Sequence, residues 1–126
     1  MATVRILSVG QCGFDHSQIS SQLGRALTAE VVAAGTHEEA IAAIRSSTFD
    51  LVLVNRIGDR DGASGLDLIR ALRTDPSTST LDVMLVSNYP QAQAEAVALG
   101  ALPGFGKSEL AIGTLPPALA AFKNRK

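Results

Sequence analysis

Cysteine is almost missing from this 126-residue chain, since Cys12 stands alone. No intrachain disulfide can form, and a single thiol suits a reducing compartment. Aromatic residues are scarce at 4%, so alanine, valine, leucine and isoleucine must build the core. Charge is also thin, with 18% charged residues and a net charge of −1. That balance argues against nucleic acid or a membrane surface as a partner held by bulk charge. No stretch approaches the ~18 uninterrupted apolar residues of a membrane span. Met1-Ala2-Thr3-Val4 lacks the charged start and long apolar run of a secretory leader. His16 and His37 have no second ligand at metal-site spacing and read as exposed polar residues. The expectation is one cytoplasmic domain over residues 1–126, without cofactor or metal. A chain of this size can bury roughly two-thirds of its unfolded surface, enough for a full core.

The remaining pattern is organised around Phe49-Asp50-Leu51-Val52-Leu53-Val54-Asn55. Its apolar middle runs without a break, as in a strand covered by helices on both faces. Val4 to Val9 reads as a first strand ended by Gly10, with a loop to Gly13. A helix follows from about Ser17 to Thr28, carrying Ile19, Leu23 and Leu27 on one face. Glu30 to Ala34 is a short strand, and Thr36 and Glu39 form a capping box for a helix ending near Ser46. Past the central strand and a loop from Arg56 to Ser64, a third helix begins near Gly65 with Ser64 as its cap. Asp75 to Thr80 is a turn-rich linker before a fourth strand, Asp82 to Ser87. Pro90 opens a fourth helix ended by Gly100, Leu102 to Phe105 is a short irregular strand, and the last helix begins at Pro116-Pro117. This βαβαβαβαβα order predicts a five-stranded parallel sheet between two helix layers.

From Val4 to Phe122 the chain resembles the receiver domain of bacterial two-component response regulators. The echoes are Phe49 to Val54, then Gly65-Leu66-Asp67-Leu68-Ile69-Arg70-Ala71-Leu72-Arg73 with Asp75-Pro76, and Gly100-Ala101 ahead of Lys107. The resemblance implies a flavodoxin-like fold with strand order 2-1-3-4-5 and a role in signal transduction. In that family an Asp ending the third strand accepts a phosphoryl group, and two acids after the first strand help it bind Mg²⁺. A Ser or Thr ends the fourth strand and a Lys the fifth. The hydroxyl falls here on Ser87 and the lysine on Lys107.

The acids do not carry over. The acceptor position is Asn55, and the acidic pair falls on Gly10 and Gln11. An amide cannot replace the ionised carboxylate as nucleophile, and Mg²⁺ seeks carboxylate oxygen. The family's switch aromatic falls on Gly104, with Phe105 displaced by one, and Ser108 stands where the family has proline. The loop after Asn55 is also longer than the family's. The chain therefore resembles a degenerate, or pseudo-, receiver. It is expected to be no enzyme and to act independently of phosphorylation through protein contact. The surface implied is the fourth helix, fifth strand and fifth helix, facing a protein partner or a second copy. The alternatives are an anion or small-molecule sensor using the altered pocket, and a phosphorelay receiver with a displaced acceptor.

Several residues invite sharper readings. Asp59 and Asp61 are expected to be turn residues rather than replacements for the lost acids. Asp15 could approach the pocket, but is expected to cap a helix. Lys107, lacking the family's acidic cluster, must swing to solvent or hold an anion with Ser87. On that view Asn55→Asp is nearly neutral for stability, because Lys107 gains a partner. Ala101 to Ser108 is close to a phosphate-binding loop but lacks its first glycine and lies late in the chain. Asp15-His16 departs from the spacing of a cobalamin motif. Cys12 is expected to be an inert loop residue.

Overall fold

The computed structural model describes residues 4–110 and 116–123. Five parallel strands form one sheet in the order β2-β1-β3-β4-β5, as the pattern predicts. They are β1 (Val4–Val9), β2 (Ala29–Ala34), β3 (Leu51–Asn55), β4 (Val83–Val86) and β5 (Leu102–Phe105). The helices are α1 (Gly13–Leu27), α2 (His37–Ser46), α3 (Gly65–Thr74), α4 (Pro90–Ala98), α5 (Lys107–Leu110) and α6 (Ala120–Lys123). A 3-10 turn, Pro117–Leu119, leads into α6. The short α5 is not legible in the sequence, where Gly106 and the segment after Leu110 interrupt any helical period.

The central strand explains the apolar run. Leu51 and Leu53 enter one core with Ile19 and Leu23 of α1 and with Phe105 and Phe122. Val52 and Val54 enter the opposite core with Leu68 and Ile69 of α3 and with Ala92 and Ala96 of α4. Alternate side chains of a strand point to opposite faces, so β3 needs apolar residues at every position. All four are at most 1% exposed.

One helix start and one cap differ from expectation, while α3 begins at Gly65 as read. Helix α1 begins at Gly13, not near Ser17, because the Cys12 sulfur accepts the Asp15 amide at 3.4 Å and takes the capping role. Ser64 occupies the cap position of α3, but its hydroxyl makes no cap bond. At α2, Thr36 Oγ1 accepts from the Glu39 amide at 3.2 Å, and the Glu39 carboxylate accepts from the Gly35 amide at 2.7 Å.

Strand β5 carries an extra residue. Met84 pairs with Leu102 and Val86 with Phe105, so two steps on β4 face three on β5. This bulge sits at Pro103-Gly104, beside the site.

Candidate functional site

The carboxyl ends of β1, β3, β4 and β5 converge where open parallel sheets bind ligands. Asn55, Ser87 and Lys107 line one small cavity there, of about 180 Å³. Gly10 and Gln11 follow β1, and the loop after β3 lies against Gly10.

Asn55 is a staple rather than a nucleophile. Its Nδ2 donates to the Gly10 carbonyl at 3.0 Å and to the Ile57 carbonyl at 2.7 Å. Two carbonyl acceptors require the amide end of the side chain. The Asp59 amide also donates to the Gly10 carbonyl, at 2.9 Å. Loop backbone thus lies against the residue that stands at the first acidic position. Gly10 has φ +78°, and a Cβ there would lie 3.2 Å from Gly58 Cα and 3.6 Å from Asn55 Cβ. A side chain at Gly10 is opposed by its own backbone and by the loop.

The loop is closed on itself. The Gly58 amide bonds the Ala63 carbonyl at 2.8 Å, the Gly62 amide bonds the Gly58 carbonyl at 2.9 Å, and Asp61 Oδ1 accepts from the Ala63 amide at 3.0 Å. Asp59 and Asp61 are exposed, as turn residues should be. Among the described residues no group of three His, Cys, Asp or Glu side chains has metal-site geometry. At Gly65, where α3 starts, a Cβ would run into the Asn55 carbonyl. That close approach fixes the far end of the loop.

Lys107 departs from both expectations set for it. Its ammonium donates to Asp15 Oδ2 at 2.6 Å, so it neither points free into solvent nor waits for an anion. Asp15, expected to cap a helix, instead lies in the first turn of α1 and supplies the missing counter-charge. The Lys107 ammonium holds the Asp15 carboxyl below its usual range. An Asp at position 55 would therefore gain no unpaired lysine, and it would set oxygen against two carbonyls. The expectation of near-neutrality for Asn55→Asp does not survive this geometry.

Ser87 is buried, and its Oγ accepts from the Tyr89 amide at 3.1 Å, turning the chain into α4. Gln11, at the second acidic position, has both amide atoms buried without a hydrogen-bond partner among the described residues. His16 and His37 are half-buried rather than exposed, and His16 Nδ1 is buried without a partner.

Gly104, the position the resemblance gives to a switch aromatic, is closely packed. A Cβ on Gly104 would run into the Leu85 carbonyl. The Gln93 side chain fills the space beside it. Its Oε1 accepts from the Gly104 amide at 3.0 Å, and its Nε2 donates to the Leu85 and Ser87 carbonyls at 2.9 and 3.1 Å. The bulge places Phe105 opposite Val86, where it is a core residue at 1% exposure. The stretch resembling a phosphate-binding loop is thus β5 running into α5. Glu109 Oε2 accepts from the Gly106 amide at 3.0 Å, which puts a carboxylate where such a loop would hold phosphate.

Sequence reasoning missed the Asp15–Lys107 pair, the Gln93 clamp and the Cys12 cap. Only the first left a signal, since a lysine stripped of its acids needs another.

No protein-family model and no curated protein matches the chain. Solved structures do. A putative response regulator from Chloroflexus aurantiacus is 21% identical with a TM-score of 0.74, over 88% of this chain and 93% of that one. The signal receiver domain of a DNA-binding response regulator from Colwellia psychrerythraea is 20% identical with a TM-score of 0.70, over 83% and 86%. A response regulator from Thermotoga maritima is 23% identical with a TM-score of 0.70, over 84% and 86%. Sheet order and these likenesses together give the chain the fold of response-regulator receiver domains.

Proposed function

We propose that the chain is a signalling module that works by protein contact, without phosphorylation or other catalysis, in the cytoplasm. The observation that carries this reading is the Asn55 amide bonded to the Gly10 and Ile57 carbonyls. Positions 10, 11 and 55 offer no carboxylate to accept a phosphoryl group or hold Mg²⁺, and the Asp15 carboxylate is engaged by Lys107. A phosphorelay receiver with a displaced acceptor has less support. Asp59 and Asp61 face solvent, and Asp50 is at the opposite end of the sheet, where its Oδ2 accepts the Arg5 amide at 2.8 Å. An anion sensor built on Lys107 and Ser87 would first have to break the pair with Asp15.

The partner surface is α4 with β5 and the last helix. On α4, Ala92 and Ala96 are buried, while Ala94, Val97 and Ala98 are exposed. Val97 at 43% and Leu102 at 36% exposure extend this face across β5, and Glu95 is the only charge on α4. Low charge on an exposed apolar face favours a protein partner or a second copy of the chain. The test is recovery of partners from native extract with tagged chain, with and without acetyl phosphate and Mg²⁺. Recovery should be unchanged by the phosphodonor and reduced at least several-fold by Ala94→Glu, with the melting temperature unaltered. Phosphodonor-dependent recovery would refute the reading, and full recovery with Ala94→Glu would move the interface.

A further inference from the structure

A second concavity lies beside the closed site, between the loop after β3 and the start of α4. It is an open groove of about 510 Å³ whose lining includes Arg56, Ile57, Leu66, Tyr89, Pro90 and Glu95. Small-molecule sites commonly measure about 300–1,000 Å³ and combine apolar walls with a few polar groups. Tyr89 is 60% exposed and Ile57 42%. A lone exposed hydrophobe is ordinary, but these two share one groove.

Arg56 supplies the polar anchor. Its guanidinium carbon lies 4.8 Å from the centroid of the Tyr89 ring. Among the described residues no carboxylate lies within ion-pair distance of it; the ion pairs use Arg5, Arg60, Arg70 and Lys107. Stacking on a ring orients a guanidinium and leaves its fork of N–H donors open. That fork matches a carboxylate with two parallel hydrogen bonds. Ser64, whose hydroxyl caps no amide, lines the same groove. Glu95 adds a negative charge on the α4 side, so an anionic group belongs at the Arg56 side.

We propose that this groove binds a small organic acid, an aromatic or aliphatic carboxylate. Its apolar body lies against Tyr89, Leu66 and Pro90, and its carboxylate lies on Arg56. Arg56, Ile57 and Tyr89 also border the cavity of Asn55 and Ser87. The ligand needs neither Lys107 nor a metal, and the assignment rests on Arg56 and Tyr89, not on Ala94, Val97 and Leu102 of the protein-contact reading.

The test is an amide-resolved NMR titration of the ¹⁵N-labelled full chain with 2-naphthoate, against neutral 2-naphthamide. Naphthoate should shift the amides of Arg56, Ile57, Tyr89 and Ala92 saturably. Naphthamide should bind about tenfold more weakly, the difference made by a charged hydrogen-bonded group. Arg56→Gln should erase that preference, and Glu95→Gln should tighten naphthoate binding. The proposal is overturned by absence of saturable shifts, by equal affinity for both probes on the unaltered chain, or by shifts centred on Lys107 and Ser108. The comparison of the two probes on the unaltered chain decides the matter even if a variant folds poorly.

Discussion

At the scale of single residues, the site is defined by exchanges of donor and acceptor. Asn55 and aspartate differ by one amide, yet here the amide's two protons both reach carbonyls. Lys107 finds Asp15 across 92 positions of sequence. This pair also sets a pH dependence. The folded pKa of Asp15 is depressed by the Lys107 ammonium, with burial opposing it. A depressed carboxyl contributes stability that is present above its unfolded pKa and lost as pH falls through the folded value. The window therefore lies below about pH 4, where unfolded aspartate titrates. Asp15→Asn should cost about 1 kcal/mol at neutral pH, a modest figure because both side chains are partly exposed. The gap between variant and parent should close as pH falls through that window. Denaturant melts at a series of pH values check this, and a constant gap down to the lowest pH would contradict it.

At the scale of elements, the ends of helices carry the surprises. Strands β3 and β4 were legible because buried strands leave unbroken apolar runs, and the bounds Leu102 to Phe105 of the more exposed β5 emerge as read. The start of α1 was not legible, because Gly13 and the exposed Phe14 break the apolar period and a cysteine is an unusual cap. The end of α1 is strained. Thr28, a β-branched residue, has φ +53°, in the left-handed region. Thr28→Gly should relieve that strain and stabilise by about 0.5–1 kcal/mol after glycine's own entropic cost. A thermal melt should show a rise of about 2–4 °C; a fall would mean that the threonine side chain holds the turn. Helix α4 is tied to β4 and β5 by Gln93, whose amide serves three backbone groups at 2.9 to 3.1 Å. Gln93→Ala leaves those groups unpaired and should cost about 1–3 kcal/mol. Amide exchange at Gly104 should accelerate with it, and unchanged exchange there would show that the bulge stands without the clamp.

At the scale of the molecule, a receiver fold carries no acid at positions 10, 11 and 55, and the loop after β3 lies across Gly10. That positions 10, 11 and 55 carry no acid was plain in the sequence, because it needs only comparison with a pattern. How the space is closed was not plain, since it depends on Gly58 and Asp59 folding back across Gly10. Asp59 contributes its backbone amide there, so the identity of its side chain carried no signal. Phosphoryl transfer rests on positioning and on neutralisation of charge by a metal ion. Asn55→Asp supplies the nucleophile alone. It loses the hydrogen bonds to the Gly10 and Ile57 carbonyls, sets a carboxylate against both, finds Lys107 already paired and has no acid at Gly10 or Gln11. The measurement that tests this account most directly is the intact mass of the Asn55→Asp chain after incubation with acetyl phosphate and Mg²⁺. The expected result is an unmodified mass for this variant, as for the parent chain. Stoichiometric gain of one phosphoryl group by the variant would contradict it, and would mean that a single amide separates this chain from a working receiver.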